Sequence, residues 1–365
     1  MKYIDERNDL EGKVVLVRSG LNVPVQDGAV QNDFRIRKAL PTIEFLSDQG
    51  AKVVVISHIG RDKGDTLHPV SVEMGKHIKL SFVRRAELEV EKMNNGDVIL
   101  LENLRQDYRE THNHDSLSEY FAEVADVFVQ DAFEVCHREH ASVIGIPKFM
   151  ESYGGLLLKE EVETLSNALT PEHPALFILG GAKLATKKPL VAKFLEIYDS
   201  IFIGGTLQNE ILAAKGFNIG KSVVEDGEVE QNILENHQVQ DVIDVLIEST
   251  DGVVASVSIN EVKDGDKIVD MGSGTTEIVS KSLSSYKTIL WNGPLGWYER
   301  GFDAATVTLA RAMAKSGAKT VIGGGDTVAV IQKEGLESEF DFVSTGGGAM
   351  LEFLQNGTLP GIDAL

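Results

Sequence analysis

The chain has 365 residues, a formal net charge of −21 and a single cysteine, Cys136. That length exceeds what one hydrophobic core usually serves, so two domains are expected. The acidity argues against a nucleic-acid or anionic-membrane partner, since both need a positive footprint.

The lone cysteine excludes an internal disulfide. The N-terminus MKYIDERNDL has no signal-peptide core, and no apolar run approaches membrane-spanning length. The expected location is cytoplasmic, and nothing in the sequence demands more than a monomer.

From the N-terminus, short β-branched runs alternate with helical stretches: KVVLVR, FRIRKALPTIEFLSDQG, AKVVVISH, DVILLENLR, SLSEYFAEVA and DVFVQDAF. This β-α-β rhythm predicts a parallel sheet with helices on its faces. The periodicity then turns helical across YGGLLLKEEVETLSNAL, a linking helix that Pro171 and Pro174 would stop. Strand-like runs resume with PALFILGG, SIFIGG, KIVDMG, KTILWNGP, KTVIGGGDT and FDFVSTGGG, nearly all ending in glycine. The fold class is therefore α/β, two doubly wound parallel-sheet (Rossmann-like) domains joined by a hinge helix. Residues 1–155, completed by about 350–365, form the first domain and 156–349 the second.

Ligands of open parallel sheets bind outside the carboxyl ends of the strands. In the first half those ends carry Arg18, Asn22, His58, Arg61, Arg105, His137 and Arg138, while Arg35 and Arg37 open the first helix. Any one of these arginines could be an ordinary surface residue. The set, each member at a strand end or helix start, points to bidentate capture of phosphate or carboxylate. In the second half, glycine turns that open helices expose backbone N–H groups, which suits a nucleotide phosphate. Lys183 and Lys187 stand four apart after one such turn and share a helix face, as phosphoryl ligands or as solvated lysines.

Three features are weaker. Gly216 to Ser222 resembles a P-loop but is one residue short and lies in the wrong order of elements. Gly272 to Glu277 lacks the third glycine of a dinucleotide fingerprint. Cys136 beside His137 invites a thiolate reading, but a packed thiol is the better one. No cluster has the spacing of a zinc site.

In order along the chain, FRIRKALPTIEFL, ISHIGR, LLENLR, QDAF with HREHAS, GGAK, IGG, WNGPLG, GGGDT and STGGGAMLEFL resemble phosphoglycerate kinase over essentially the whole length. The resemblance implies reversible phosphoryl transfer between the carboxyl group of 3-phosphoglycerate and ADP/ATP, with Mg2+. It implies that Asn22, Arg35, His58, Arg61, Arg105 and Arg138 hold the acid. Lys183, Lys187, Gly204, Gly205, Asn292, Pro294, Glu299, Asp326 and Thr327 would line the nucleotide, with Asp326 near the metal. Arg35, Lys187, Gly324 and Gly347 would serve the transfer itself. The substrates would lie on separate lobes that must close on one another.

Two departures fall on the acid side. The family's Arg-Val-Asp-Phe-Asn is here Arg18-Ser19-Gly20-Leu21-Asn22, which removes an aspartate expected to bond the substrate's hydroxyl. Its glycine-threonine-alanine is here Glu134-Val135-Cys136, which adds a carboxylate that would repel an anionic substrate. On this reading Gly20→Asp should improve the apparent substrate constant. On the nucleotide side Trp297 replaces a small residue, either to stack on the base or to fill its pocket. The departures also admit a second reading, a divergent paralogue that binds nucleotide but uses another carboxylic acid or serves a non-catalytic role.

Overall fold

The computed structural model describes residues 1–182, 184–224 and 229–365, without the side chains of residues 184–186. The chain divides into two compact units, Met1–Glu163 with Asn356–Leu365, and Thr164–Gln355. The sequence reading puts the first boundary at 155/156 and the return near 350.

The first unit is built on six parallel strands: β1 (Val14–Arg18), β2 (Lys52–Ile56), β3 (Ser81–Val83), β4 (Val98–Leu101), β5 (Val127–Gln130) and β6 (Ser152–Gly154). Their order is β3-β4-β2-β1-β5-β6. Strand alternation sends side chains to two separate cores. Val15, Val17, Val53 and Val55 pack on one face with Ile36, Ala39 and Ile43 of helix α1 (Phe34–Asp48). Leu16, Val54 and Phe128 pack on the other with Leu117 and Phe121 of α2 (Asp115–Val124). Helical cover on both faces explains why these strands read as unbroken apolar runs.

The chain first builds outward from β1 on the β2 side, then returns to the other side with β5. The direction of winding therefore reverses between β1 and β5, where a doubly wound sheet opens its ligand crevice. Helix α3 (Leu156–Ala168) starts where Asp131 Oδ1 accepts from the N–H groups of Leu157 and Leu158 at 2.9 and 3.2 Å. The division between the units falls inside this helix. At the C-terminus, Gly361 N–H bonds the Cys136 carbonyl at 2.8 Å, which ties the last segment to the first unit.

The second unit has β7 (Ala175–Leu179), β8 (Ser200–Ile203), β12 (Thr288–Asn292), β13 (Lys319–Gly323) and β14 (Phe342–Val343) in one parallel sheet ordered β8-β7-β12-β13-β14. Here the winding reverses between β7 and β12. Helix α4 (Leu184–Leu195) lays Phe194 on Phe177, with ring centroids 4.6 Å apart.

The sequence reading takes KIVDMG as a further parallel strand, and the structure corrects it. β9 (Asp244–Glu248), β10 (Val254–Ser258) and β11 (Lys267–Met271) form a separate antiparallel sheet ordered β10-β9-β11. In β9 buried and half-exposed residues alternate, the mark of a strand with one wet face. Among the described residues, no helix is long and apolar enough to cross a membrane.

Candidate active site

In the first unit the predicted acid-side residues meet at the carboxyl ends of the strands. Arg35, in the first turn of α1, donates from Nη1 to the Asn22 carbonyl at 2.6 Å. Asn22 Oδ1 accepts from Gly60 N–H at 3.0 Å, and the Gly60 carbonyl accepts from Arg105 Nη1 at 2.5 Å. These bonds tie together the loops after β1, β2 and β4. Arg61 is exposed on the middle loop, its backbone N–H bonded to Asp65 Oδ2 at 2.9 Å.

His58 is buried, with Nδ1 2.8 Å from Arg18 Nη2. A guanidinium only donates, so Nδ1 accepts and the bonding assigns the ring proton to Nε2. Burial, then the charges of Arg18, Arg105 and Arg138, hold this histidine far below its ordinary pKa. It is thus a neutral donor. Arg105 is likewise pushed down, by burial and then by Arg138 and Arg18, with Glu110 in partial opposition. Among the described residues Arg61, Arg105 and Arg138 form no ion pair. Crowded guanidinium groups that form no ion pair favour a multiply charged anion.

Arg18 is a correction to the picture of a rim of arginines. It ends a central strand and is completely buried, donating to Ser142 Oγ, the Ser19 carbonyl and Ser57 Oγ. Its role is to fix the His58 tautomer from beneath. Cys136 is packed, with Sγ 3.5 Å from the Ala132 carbonyl and its thiol pushed up by burial.

In the second unit the loops after β7 and β12 bond backbone to backbone. Gly180 N–H donates to the Asn292 carbonyl and Gly181 N–H to the Pro294 carbonyl, each at 2.8 Å. Gly205 adopts φ +66°, and a Cβ there would sit 2.7 Å from Gly181 N and O, so only glycine fits. Gly204 lies against the Leu295 side chain. Gly324 precedes α6 (Gly325–Lys333) and Gly347 opens α7 (Gly347–Asn356). A Cβ on Gly347 would meet Gly324 Cα at 2.7 Å, so two helix N-termini, each a potential anion site, lie side by side.

Asn292 is buried beside them, and the Thr327 hydroxyl is buried with no hydrogen-bond partner. Lys187 Nζ donates to the Gly180 carbonyl at 2.8 Å. Burial pushes its pKa down to about 8, opposed by the charge of Asp326. Lys183 lies outside the described residues.

Pro294, Glu299 and Asp326 help line a cavity of about 280 Å³. Trp297 forms part of its wall rather than filling it. The indole has Lys267 Nζ at 4.2 Å and Arg300 Cζ at 5.0 Å from its ring centroid.

Two sequence signals are absorbed by structure alone. Gly272 to Glu277 does open helix α5 (Ser273–Ser282). Its N-terminus, however, is filled by Asp244, whose carboxylate accepts from Gly274 N–H at 2.8 Å and Thr275 N–H at 2.7 Å. Gly216 to Ser222 opens no helix. A residue the sequence reading missed is Tyr298, whose hydroxyl reaches Asp326 Oδ1 at 2.8 Å.

The phosphoglycerate kinase family model matches residues 4–357. A phosphoglycerate kinase of Staphylococcus epidermidis is 38% identical over 384 residues, covering 98% of this chain and 97% of that protein. One of Thermosipho africanus is 40% identical over 386 residues, covering 98% and 96%. Among solved structures, phosphoglycerate kinase from Coxiella burnetii superposes with a TM-score of 0.84 at 35% identity, covering 99% of this chain and 98% of that one. The Pyrococcus horikoshii enzyme gives 0.88 at 29%, covering 100% and 98%. With motifs, sheet order and likeness agreeing from end to end, the chain belongs to the phosphoglycerate kinase family.

Proposed function

We propose that the chain catalyses reversible phosphoryl transfer between ATP and the carboxylate of 3-phosphoglycerate, giving ADP and 1,3-bisphosphoglycerate, as a cytoplasmic monomer. The observation that carries the reading is the pair of adjoining helix N-termini at Gly324 and Gly347, with Lys187 and Asp326 in the same unit. Such a site neutralises charge on a phosphoryl group in flight, which is most of what this chemistry requires. The carboxylate nucleophile is ionised at neutral pH, so no general base is needed.

On the acid side Asn22, Arg35, Arg61, Arg105 and Arg138 hold the two anionic ends, with His58 Nε2–H as a neutral donor. Arg35 orients the attacking carboxylate. On the nucleotide side Lys183, Gly204, Gly205, Asn292, Pro294 and Glu299 hold ATP. The unpartnered Thr327 hydroxyl donates to its phosphates, and Lys187 meets the transferring group. Residues 1–155 with about 350–365 thus serve the acid, and 156–349 the nucleotide.

The donor set fits magnesium. Asp326 is an exposed hard-oxygen ligand, and Mg2+ is commonly held by one or two carboxylates together with substrate phosphates and water. Bound there, the ion would neutralise phosphate charge. ATP turnover with 3-phosphoglycerate and Mg2+, coupled to ADP detection, tests the reading. Activity no higher than that of an Arg35→Ala variant would refute it.

A further inference from the structure

Glu134 lies in the turn that follows β5, at the reversal of the first sheet, and the residue is 8% exposed. Both carboxylate oxygens are buried without a hydrogen-bond partner. An ionised carboxylate so placed is costly unless something donates to it. The nearby guanidinium of Arg18 does not, because its nitrogens are engaged with Ser142, Ser19, Ser57 and His58.

The carboxylate sits against Gly20, in the loop after β1. A Cβ at residue 20 would lie 2.5 Å from Glu134 Oε2, 2.6 Å from Oε1 and 2.7 Å from Cδ. Gly20 does not have a positive φ, so its backbone would accept a side chain. What excludes one is Glu134. The two departures noted in the sequence are therefore one feature: the Glu134 carboxylate, from the β5 loop, takes the space that a side chain on the β1 loop would otherwise take.

We propose that Glu134 is a specificity-determining residue that accepts a hydrogen bond from the C2 hydroxyl of the acid substrate. The inference rests on the functional reading above. At neutral pH 3-phosphoglycerate has one hydrogen-bond donor, that hydroxyl, since its phosphate and carboxylate only accept. An ionised Glu134 carboxylate likewise only accepts. Among crowded arginines that hold the anionic ends, this unpartnered carboxylate is matched to that one donor. It rejects an acid that lacks the hydroxyl, both by the missing bond and by bare repulsion.

The test compares 3-phosphoglycerate with its 2-deoxy analogue, 3-phosphooxypropionate, by calorimetry and by turnover. The native chain should prefer the hydroxy acid by on the order of 10- to 100-fold, the usual loss for a missing bond to a charged group. Glu134→Ala should erase that preference by weakening 3-phosphoglycerate and, with the repulsion gone, strengthening the deoxy acid, while ATP binding is unchanged. Gly20→Asp alone should fail, because two carboxylates would compete for one space. This reverses the gain expected from the sequence. The double variant Gly20→Asp/Glu134→Gly should restore the preference, and it decides the matter should Glu134→Ala not fold.

Equal binding of both acids by the native chain overturns the role of Glu134 and leaves the kinase reading standing. So does equal weakening of both in Glu134→Ala, or a folded double variant without preference. A native chain that neither binds nor turns over either acid overturns the kinase reading, and this inference with it.

Discussion

Tyr298 donates its hydroxyl to Asp326 Oδ1 at 2.8 Å, joining the turn after β12 to the first turn of α6. Burial, and then the Asp326 carboxylate, raise the phenol well above its ordinary pKa, so it stays a donor at all working pH values. On the proposed reading the bond leaves Oδ2 for magnesium and fixes the carboxylate's orientation, as outer partners of metal ligands commonly do. Tyr298→Phe keeps the ring and removes the bond. The half-saturating Mg2+ concentration should rise by about 10-fold, at the low end of such effects because the site is exposed. The constant for 3-phosphoglycerate should not change. A magnesium titration at fixed ATP reads both.

Lys187 titrates within reach of ordinary assays. Burial lowers its pKa to about 8, so the free protein loses this charge as pH rises through that value. The profile of kcat/KM for ATP, which reports the free enzyme, should fall above about pH 8. With phosphates bound, the ammonium is favoured, and the corresponding limb of kcat should move to higher pH. Lys187→Arg should remove the limb, and Lys187→Met should cost about 10²- to 10³-fold in kcat. Linkage adds a sign for the folded state: the unfavourable burial of this charge is fully felt below pH 8 and disappears as pH climbs toward 10.5. Parallel limbs in kcat and kcat/KM would contradict this assignment.

Most of the fold and the polar residues of the candidate site are legible from the chain because they follow local rules. Strands buried on both faces read as apolar runs, and the candidate ligand groups Asn22, Arg105 and Asn292 stand at or just past their ends. The sequence reading fails where distant segments decide. Arg18 stands at a strand end like the rest, yet its neighbours β2 and β5 bury it. The glycines at 272 and 274 look like a phosphate turn until Asp244 arrives from another strand to fill it. Gly20 and Glu134 read as two separate departures, because no local pattern shows that one occupies the space of the other.

His58 provides a check that requires no mutation. With Arg18 donating to Nδ1, the Nε2–H tautomer should persist throughout the usual range, and the ring should not charge between pH 5 and 8. Spectra of the chain labelled with 15N-histidine, recorded across that range, should show at least two histidines that do not titrate: His140, which burial and then Arg138 hold down to about 4, and His58, which holds this tautomer. The His58 signals should move when 3-phosphoglycerate is added, as Nε2–H finds an acceptor. A full complement of histidines titrating near their ordinary pKa would break the link between Arg18 and the acid site.

Asp244 separates a structural glycine turn from a functional one. Burial works to raise its pKa. The Thr275 hydroxyl, then the N–H groups of Thr275 and Gly274, outweigh that and hold the carboxylate below its usual range. Its stabilisation is therefore present above the unfolded aspartate pKa near 3.8 and is lost as pH falls through the lower folded value. Asp244→Ala removes a cap and a charge matched to a helix N-terminus, which should cost about 1–2 kcal/mol in denaturant unfolding at pH 7. The deficit should shrink in acid, where the native carboxylate is also protonated. ATP affinity should be unchanged, because this N-terminus is already occupied. Gly324→Ala should do the opposite, weakening ATP by disturbing the paired N-termini at φ +95°. If Asp244→Ala instead weakened ATP as strongly as Gly324→Ala, the turn at Gly272 would have to be counted among the phosphate ligands.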